Sequence, residues 1–476
     1  MHRSLKRMFL LAALLVQVLS GSATAVSVTG DDWFVHFNLP DQSTSTSTVS
    51  VGKFDIRDAL LSRINALQSN DDATLATYTF SAQSTAGLIL EAISNALDRS
   101  ATVRFIGDYT LDTNSVLGGT SLGALAGRVT NPLVLVKATK SSGIMHDKVG
   151  LFCYGGTNRW VFTGSWNFTS GASYQEWNIA IEAQNDAMYT VYSNEMSQLL
   201  AGHFHYDPTK SHAYDGATFQ LADSWSNGWV RFSPPANGAL GATNAHTDIV
   251  NLISNAQQEI VFALNECSLM DIATAIVVAA NRGVVINGSM PESDTSPGGA
   301  SDDVYSYLTN TVNYATTNTV HFITAYAKAN GSALDAGQTN LIHEKYMVID
   351  PWSEQPTVIL GSPNWSKAAL VDTNQNDENI VFMRHKDIAR MYYAQFKRMT
   401  GVWQAREDFW CDVSNAPPGC AFGLWMTDSN SFRVEQAAVP AGPWTTNLTS
   451  ISGFVGHFTR PVYTNLSFEV FRAARN

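Results

Sequence analysis

Apolar residues recur at helical spacing over 55–67, where Ile56, Leu60, Ile64 and Leu67 fall on one face. Residues 75–80 alternate as a strand does, and 84–100 predict a second helix with Leu88, Ala92, Ala96 and Leu97 inward. Short strands at 103–106 and 133–136 follow, separated by a Gly-rich loop at 118–127, and an extended run at 145–152 closes the set. The plan then recurs roughly 190 residues on: helix 247–256, strand 259–264, helix 269–281, then strands at 283–286, 321–325 and 342–350. Strands alternating with helices predict α/β layers around a mainly parallel or mixed sheet. Two such α/β sandwich repeats, packed face to face, form a pseudo-dimer within one chain, with 145–152 and 342–350 at the seam.

Polar, Gly and Pro residues collect between 208 and 235, and the pattern changes again past Trp410. The organisation read from this is a leader over 1–25, a first repeat over 26–215, a second over 216–405 and a strand-rich C-terminal extension over 406–476. In the leader, Arg3, Lys6 and Arg7 precede an apolar stretch from Met8 to Leu19, and Ala23-Thr24-Ala25 has the small residues of a cleavage site. It reads as a cleavable secretory signal peptide, which predicts an extracellular protein.

The formal net charge is −12, and −15 without the three cations of the leader. That balance argues against holding nucleic acid by bulk electrostatics. An oxidising compartment permits disulfides among Cys153, Cys267, Cys411 and Cys420. Cys411 and Cys420 bracket a Pro-Pro-Gly turn and suit a local bridge; Cys153 and Cys267 either pair or remain free.

The chemistry concentrates in two matching stretches. His146-Asp147-Lys148 leads to Gly164-Ser165-Trp166-Asn167, and His343-Glu344-Lys345 leads to Gly361-Ser362-Pro363-Asn364, with the His 18 residues before the Gly in both. On a strand, residues two apart share a face, so each His and Lys point the same way. Two imidazoles, two ammonium groups, two amides (Asn167, Asn364) and two hydroxyls (Ser165, Ser362) make a cage for a tetrahedral anion. One imidazole attacks phosphorus and the other serves the leaving group and then water. This chemistry calls for no metal and no cofactor. His203, His205, Asp207 and His212 match no established ligand spacing and read as a solvated segment after a helix. Trp166, Trp365 and Phe168, beside the motif asparagines, read as core.

These motifs resemble the phospholipase D superfamily, whose pattern is His-x-Lys, four residues, Asp, then Gly-Ser-x-Asn. The second copy matches through His343, Lys345, Asp350, Gly361, Ser362 and Asn364, and Asp377-Glu378-Asn379 fits the downstream Glu-Asn pair. The first copy departs twice: Cys153 stands at the Asp position, and Glu176-Trp177-Asn178 places the Glu one residue out. The resemblance spans roughly 50–400 and implies two phospholipase D-like domains with one active site at their seam and a phosphohistidine mechanism. It implies catalytic roles for His146, Lys148, Asn167, His343, Lys345 and Asn364, with His146 the nucleophile and His343 the acid. Ser165, Ser362, Asp350, Glu176 and Glu378 are expected to support them, each Glu orienting the His of its own half, except that in the first half either Glu176 reaches His146 through a local shift or that support is lost.

Three functions follow. The first is a secreted phosphodiesterase hydrolysing phospholipids, with peripheral contact to a membrane surface. The second is a nuclease of the same superfamily, cutting DNA or RNA. The third, motivated by Cys153 and the displaced Glu176, is an inactive phosphate-binding protein. One chain supplies both motifs, so no obligate protein partner is needed.

Overall fold

The computed structural model of the protein describes residues 28–29, 32–38, 55–80, 84–117, 119–141, 143–211, 213–221, 227–234, 244–322, 341–372 and 376–400, and the backbone of strands between 408 and 475. The leader lies outside the described residues.

The first sheet runs from Trp33–Phe37 through Ile179–Gln184, Asn158–Gly164, Lys148–Tyr154, Asp72–Thr77 and Thr102–Gly107 to Val134–Lys137. The second runs from Thr218–Gln220 through Asn227–Ser233, Glu378–Arg384, Thr357–Gly361, Lys345–Ile349, Glu259–Leu264 and Val285–Ser289 to His321–Phe322. Both are mixed, with parallel pairs where a helix crosses over and antiparallel pairs around the motif strand. The helices Asp55–Asn65 and Ser84–Asp98 cover one face of the first sheet, where Ile56, Leu60 and Ile64 meet Ile89, Ile93 and Leu97. Ala245–Asn255 and Met270–Asn281 do the same for the second sheet through Ile249, Ile253, Ile272 and Ile276. The two α/β layers of the pseudo-dimer are thus present, and sheet membership changes between Gln184 and Thr218.

Several local expectations change. Leu88 is exposed (40 %), because the buried stripe of its helix passes through Ile89, Leu90, Ile93 and Leu97 instead. The Gly-rich loop holds a short helix, Leu122–Ala126, whose first turn is capped by the Ser121 hydroxyl accepting from the Ala124 N–H. The motif strands begin later than the alternation suggests, at Lys148 and Lys345. The residues just before them pair elsewhere: Met145 bridges Asp377, and Leu341–Ile342 pairs in parallel with Glu176–Trp177. Each His is therefore held by the opposite half.

Cys153 and Cys267 are free thiols. The C-terminal unit, residues 401–476, contains two three-stranded antiparallel sheets: Asp408–Asp412, Cys420–Met426 and Gly456–Val462, and Thr445–Ile451, Phe432–Ala437 and Val470–Arg475. This is the strand-rich extension expected there. The side chains of Cys411 and Cys420 lie outside the described residues.

Candidate active site

The two halves exchange backbone hydrogen bonds at the motifs. The His146 N–H donates to the Asp377 carbonyl at 2.9 Å, the Asp377 N–H to the Ile144 carbonyl at 3.0 Å, and the His343 N–H to the Trp177 carbonyl at 3.0 Å. This crossing decides which side chain supports which imidazole. His146 Nδ1 lies 2.9 Å and 2.8 Å from the two carboxylate oxygens of Glu378. His343 Nδ1 lies 2.8 Å from Asn178 Oδ1, and 3.6 Å from Glu176 Oε2. The expectation that each Glu serves its own half is corrected: Glu378 backs His146, and the Glu176 region backs His343.

His146 and both lysines are buried, and His343 is partly buried. Burial, reinforced by Lys148, lowers His146 to about 4 despite the opposing pull of Glu378. Burial pushes Glu378 up, but His146, Lys148 and the Ser362 hydroxyl outweigh it and hold the carboxylate below its ordinary range. His146 is thus a neutral imidazole whose Nδ1–H donates to a carboxylate, leaving the Nε2 lone pair unprotonated. His343 is also lowered well below its ordinary value, by burial and then by Lys345, Lys148 and His146. Burial lowers Lys148 to about 8 and Lys345 to about 7, Lys345 with a contribution from Lys148. Among the described residues each ammonium donates once, to the carbonyl of the His two residues before it (2.7 Å and 2.8 Å), which leaves further donors for a ligand. The site is a pair of crowded cations whose charge favours an anion between them.

The other motif residues divide. The Ser362 hydroxyl donates to Glu378 at 2.6 Å and the Ser165 hydroxyl to Asn178 Oδ1 at 2.8 Å. The hydroxyls therefore orient the imidazoles' partners, and do not line an anion cage as the sequence suggested. Asn364 is engaged on both sides, donating to Glu266 at 3.0 Å and accepting from Asn265 at 3.1 Å, whereas Asn167 Oδ1 has no hydrogen-bond partner among the described residues. Gly164 and Gly361 permit the close crossing beneath the site. A Cβ would stand 2.1 Å from the Ile179 carbonyl oxygen in one case and 2.2 Å from that of Asn379 in the other.

Asp350 is not at the site. Its carboxylate lies at the far end of strand Lys345–Ile349 and accepts from the N–H groups of Gln257, Gln258 and Glu259 at 2.9, 2.7 and 3.1 Å. In the first half Asp71 does comparable work from the opposing strand, accepting from Gln68 and Gly155, so Cys153 costs that half no carboxylate. Trp166, Trp365 and Phe168 are core residues.

Sequence reasoning missed several groups. Asn178 is one. Tyr78 is another, its ring edge-on to His146 with centroids 5.0 Å apart. A buried ion network behind the seam is a third: Asp377 pairs with His205 at 3.0 Å and Lys210 at 3.1 Å, and Lys210 with Glu195 at 2.5 Å. His205 is consequently buried, contrary to the solvated segment expected there; His203 and Asp207 pair with each other at 2.6 Å near the surface. Among the described residues no group of three His, Cys, Asp or Glu converges as a metal site would require.

A double-His, double-Lys site at a pseudo-two-fold seam between α/β halves defines a class of phosphodiester chemistry. The chain belongs to the phospholipase D-like phosphodiesterase superfamily: the family model described as "Cardiolipin synthase, PLD-like domain" matches residues 60–200 and 249–400. No curated protein sequence matches. Among solved structures, the phosphatidylserine synthase of Haemophilus influenzae Rd KW20 is similar in fold, with a TM-score of 0.53 and 10% identity over 82% of this chain and 90% of that one. Nuc from Salmonella typhimurium, a phospholipase D family member, is 22% identical over 37% of this chain and 93% of its own, with a TM-score of 0.27. A polyphosphate kinase from Porphyromonas gingivalis is 10% identical over 77% of this chain with a TM-score of 0.46, and this chain spans 50% of it.

Proposed function

We propose that the chain is an exported phospholipase D-type hydrolase that cleaves phospholipid head groups through a phosphohistidine, without a metal ion. One observation carries this reading: each imidazole has its Nδ1 engaged by a side chain from the opposite half, which leaves Nε2 as the reactive atom beside Lys148 and Lys345. His146 Nε2 attacks phosphorus, an N–P bond forms and the P–O bond to the leaving group breaks. The departing oxygen takes a proton from His343. His343 then removes a proton from water, whose oxygen attacks phosphorus while the N–P electron pair returns to His146. Lys148 and Lys345 stabilise the charge that builds on the non-bridging oxygens. An arriving phosphodiester anion offsets the two ammonium groups and so raises the proton affinity of His343 toward its working range.

Phospholipid is favoured over nucleic acid by charge. The whole chain carries −12, and Glu266 and Asp294 lie within electrostatic reach of Lys345, an unwelcoming rim for a polyanion. Among the described residues no helix is long and apolar enough to cross a membrane. The test is incubation with phosphatidylcholine vesicles and, separately, single-stranded DNA, with EDTA throughout. Free choline is expected. Cut DNA without choline transfers the reading to a nuclease, and neither product across the pH range identifies a phosphate-binding protein. Export is tested by sequencing the N-terminus of protein recovered from the culture medium, with Val26 expected first.

A further inference from the structure

The Glu and Asn that support the two histidines have changed places between the halves. The strand registers align them: Gly164 pairs with Ala180 and Gly361 with Ile380, so Asn178 occupies the place of Glu378, and Glu176 that of Asn376. The hydrogen bonds agree. Ser362 donates to Glu378 as Ser165 donates to Asn178, and the Ile179 and Asn379 N–H groups return to those hydroxyls at 3.0 Å each. Within each pair the amide donates to the acid: Asn376 to Glu378 at 3.0 Å, Asn178 to Glu176 at 3.1 Å. The orientation of Asn178 follows from its neighbours. Its nitrogen faces the Ala172 carbonyl (3.0 Å) and the Glu176 carboxylate, so its oxygen faces His343.

We propose that Asn178 is the positioning residue of His343, and that the transposed amide and acid divide the reaction between the two imidazoles. The inference rests on the phosphohistidine reading above. A phosphorylated imidazole carries positive charge, which a carboxylate at Nδ1 stabilises; that suits His146, backed by Glu378. A proton carrier must release its proton, and a carboxylate at Nδ1 would retain it. The neutral Asn178 oxygen fixes the ring and tautomer of His343 without that retention. The charged and titratable groups facing His343 are Lys345, Lys148, His146 and Glu176, the last at 3.6 Å from Nδ1. Three of the four are cationic or become so on protonation, so the amide preserves a ring poised to lose its proton.

The test is the double variant Glu176→Asn with Asn178→Glu, which restores the second-half arrangement at constant composition. Two readouts are taken from the full chain. One is the titration of each histidine by NMR of 13C-labelled imidazoles, with His343 assigned through His343→Asn. The other is the pH dependence of kcat for bis(4-nitrophenyl) phosphate, whose leaving group needs no acid, so that breakdown of the phosphohistidine by water and neutral His343 limits turnover. The variant is expected to move the His343 titration, and the acidic limb of kcat with it, upward by about one pH unit or more, leaving His146 in place. An unmoved His343 titration overturns the proposal. If the double variant does not fold, Asn178→Asp is read the same way. A wild-type chain that cleaves no phosphodiester refutes the proposed function, while the NMR titration still decides whether Asn178 governs His343.

Discussion

His146 Nδ1 lies 2.8 Å from Glu378 Oε2, although the two residues are 232 positions apart, Glu378 in a strand of the second sheet and His146 just before a strand of the first. Each half of the molecule thus carries the support for the other half's imidazole. Removing the carboxylate while keeping its shape isolates what it does. Glu378→Gln is expected to lower kcat/KM by about 10²-fold or more, through loss of tautomer control and of charge opposite the imidazolium. Circular dichroism should show an intact fold, and a variant retaining wild-type kcat/KM contradicts the assignment.

Asp350 separates structural from catalytic membership of the motif. The three backbone N–H groups that donate to its carboxylate tie the end of helix Ala245–Asn255 to the following strand. Asp350→Ala should cost about 2–4 kcal/mol in urea denaturation, since buried N–H donors lose a charged acceptor. Turnover per folded molecule should stay near that of wild type at temperatures well below the transition. Cys153→Asp should bring no comparable gain, because Asp71 already accepts from Gln68 and Gly155.

Gly361 tests the crossing itself. A Cβ would sit 2.2 Å from the Asn379 carbonyl oxygen, backbone that moves only with the strand carrying Glu378. Gly361→Ala should therefore destabilise by about 3 kcal/mol and reduce activity together. A variant that loses neither places the glycine outside the mechanism.

Glu344, between His343 and Lys345, is fully buried, and burial raises its carboxyl to about 8; among the described residues only Gln395 donates to it, at 2.9 Å. In the unfolded chain it ionises near 4.5. Between those values the unfolded state releases a proton that the folded state keeps, so stability falls as pH rises, by up to about 1.4 kcal/mol per pH unit. Glu344→Gln abolishes that term. Its advantage over wild type in urea midpoints should be absent near pH 4.5 and widen toward pH 8. His146 has the opposite sense: lowered to about 4 from 6.5, it withdraws stability as pH falls through that interval. A flat difference between Glu344→Gln and wild type would show that the carboxyl is ionised in the folded state.

The repeated plan was legible because hydrophobic periodicity and the paired His-x-Lys and Gly-Ser-x-Asn spacings are local properties. Ile56, Leu60 and Ile64, and strand Glu259–Leu264, stand where the pattern placed them. What depends on the seam was not legible. His146 leaves its own strand because Asp377 pairs with Met145, and no local rule announces a partner from the other half. The supporting residues were misaligned for a countable reason: Asn178 follows Ser165 by 13 residues, while Glu378 follows Ser362 by 16, so the second loop is three residues longer. Matching the Glu residues by type hid the exchange of acid and amide that matching strand positions reveals. Ser165 and Ser362 are a similar case, since sequence shows that hydroxyls are present and not where they donate.

The most direct measurement of the central claim is a rapid-quench experiment with bis(4-nitrophenyl) phosphate on His343→Asn and His146→Asn. The first variant keeps the nucleophile and a substrate whose leaving group departs unaided, but lacks the base that releases the intermediate. It should give a burst of one nitrophenol per chain and an acid-labile phosphoryl group on the peptide containing His146, while His146→Asn gives neither. A burst from His146→Asn with the label on His343 would reverse the two roles, and no burst from either variant alongside an active wild type would contradict the phosphohistidine account altogether.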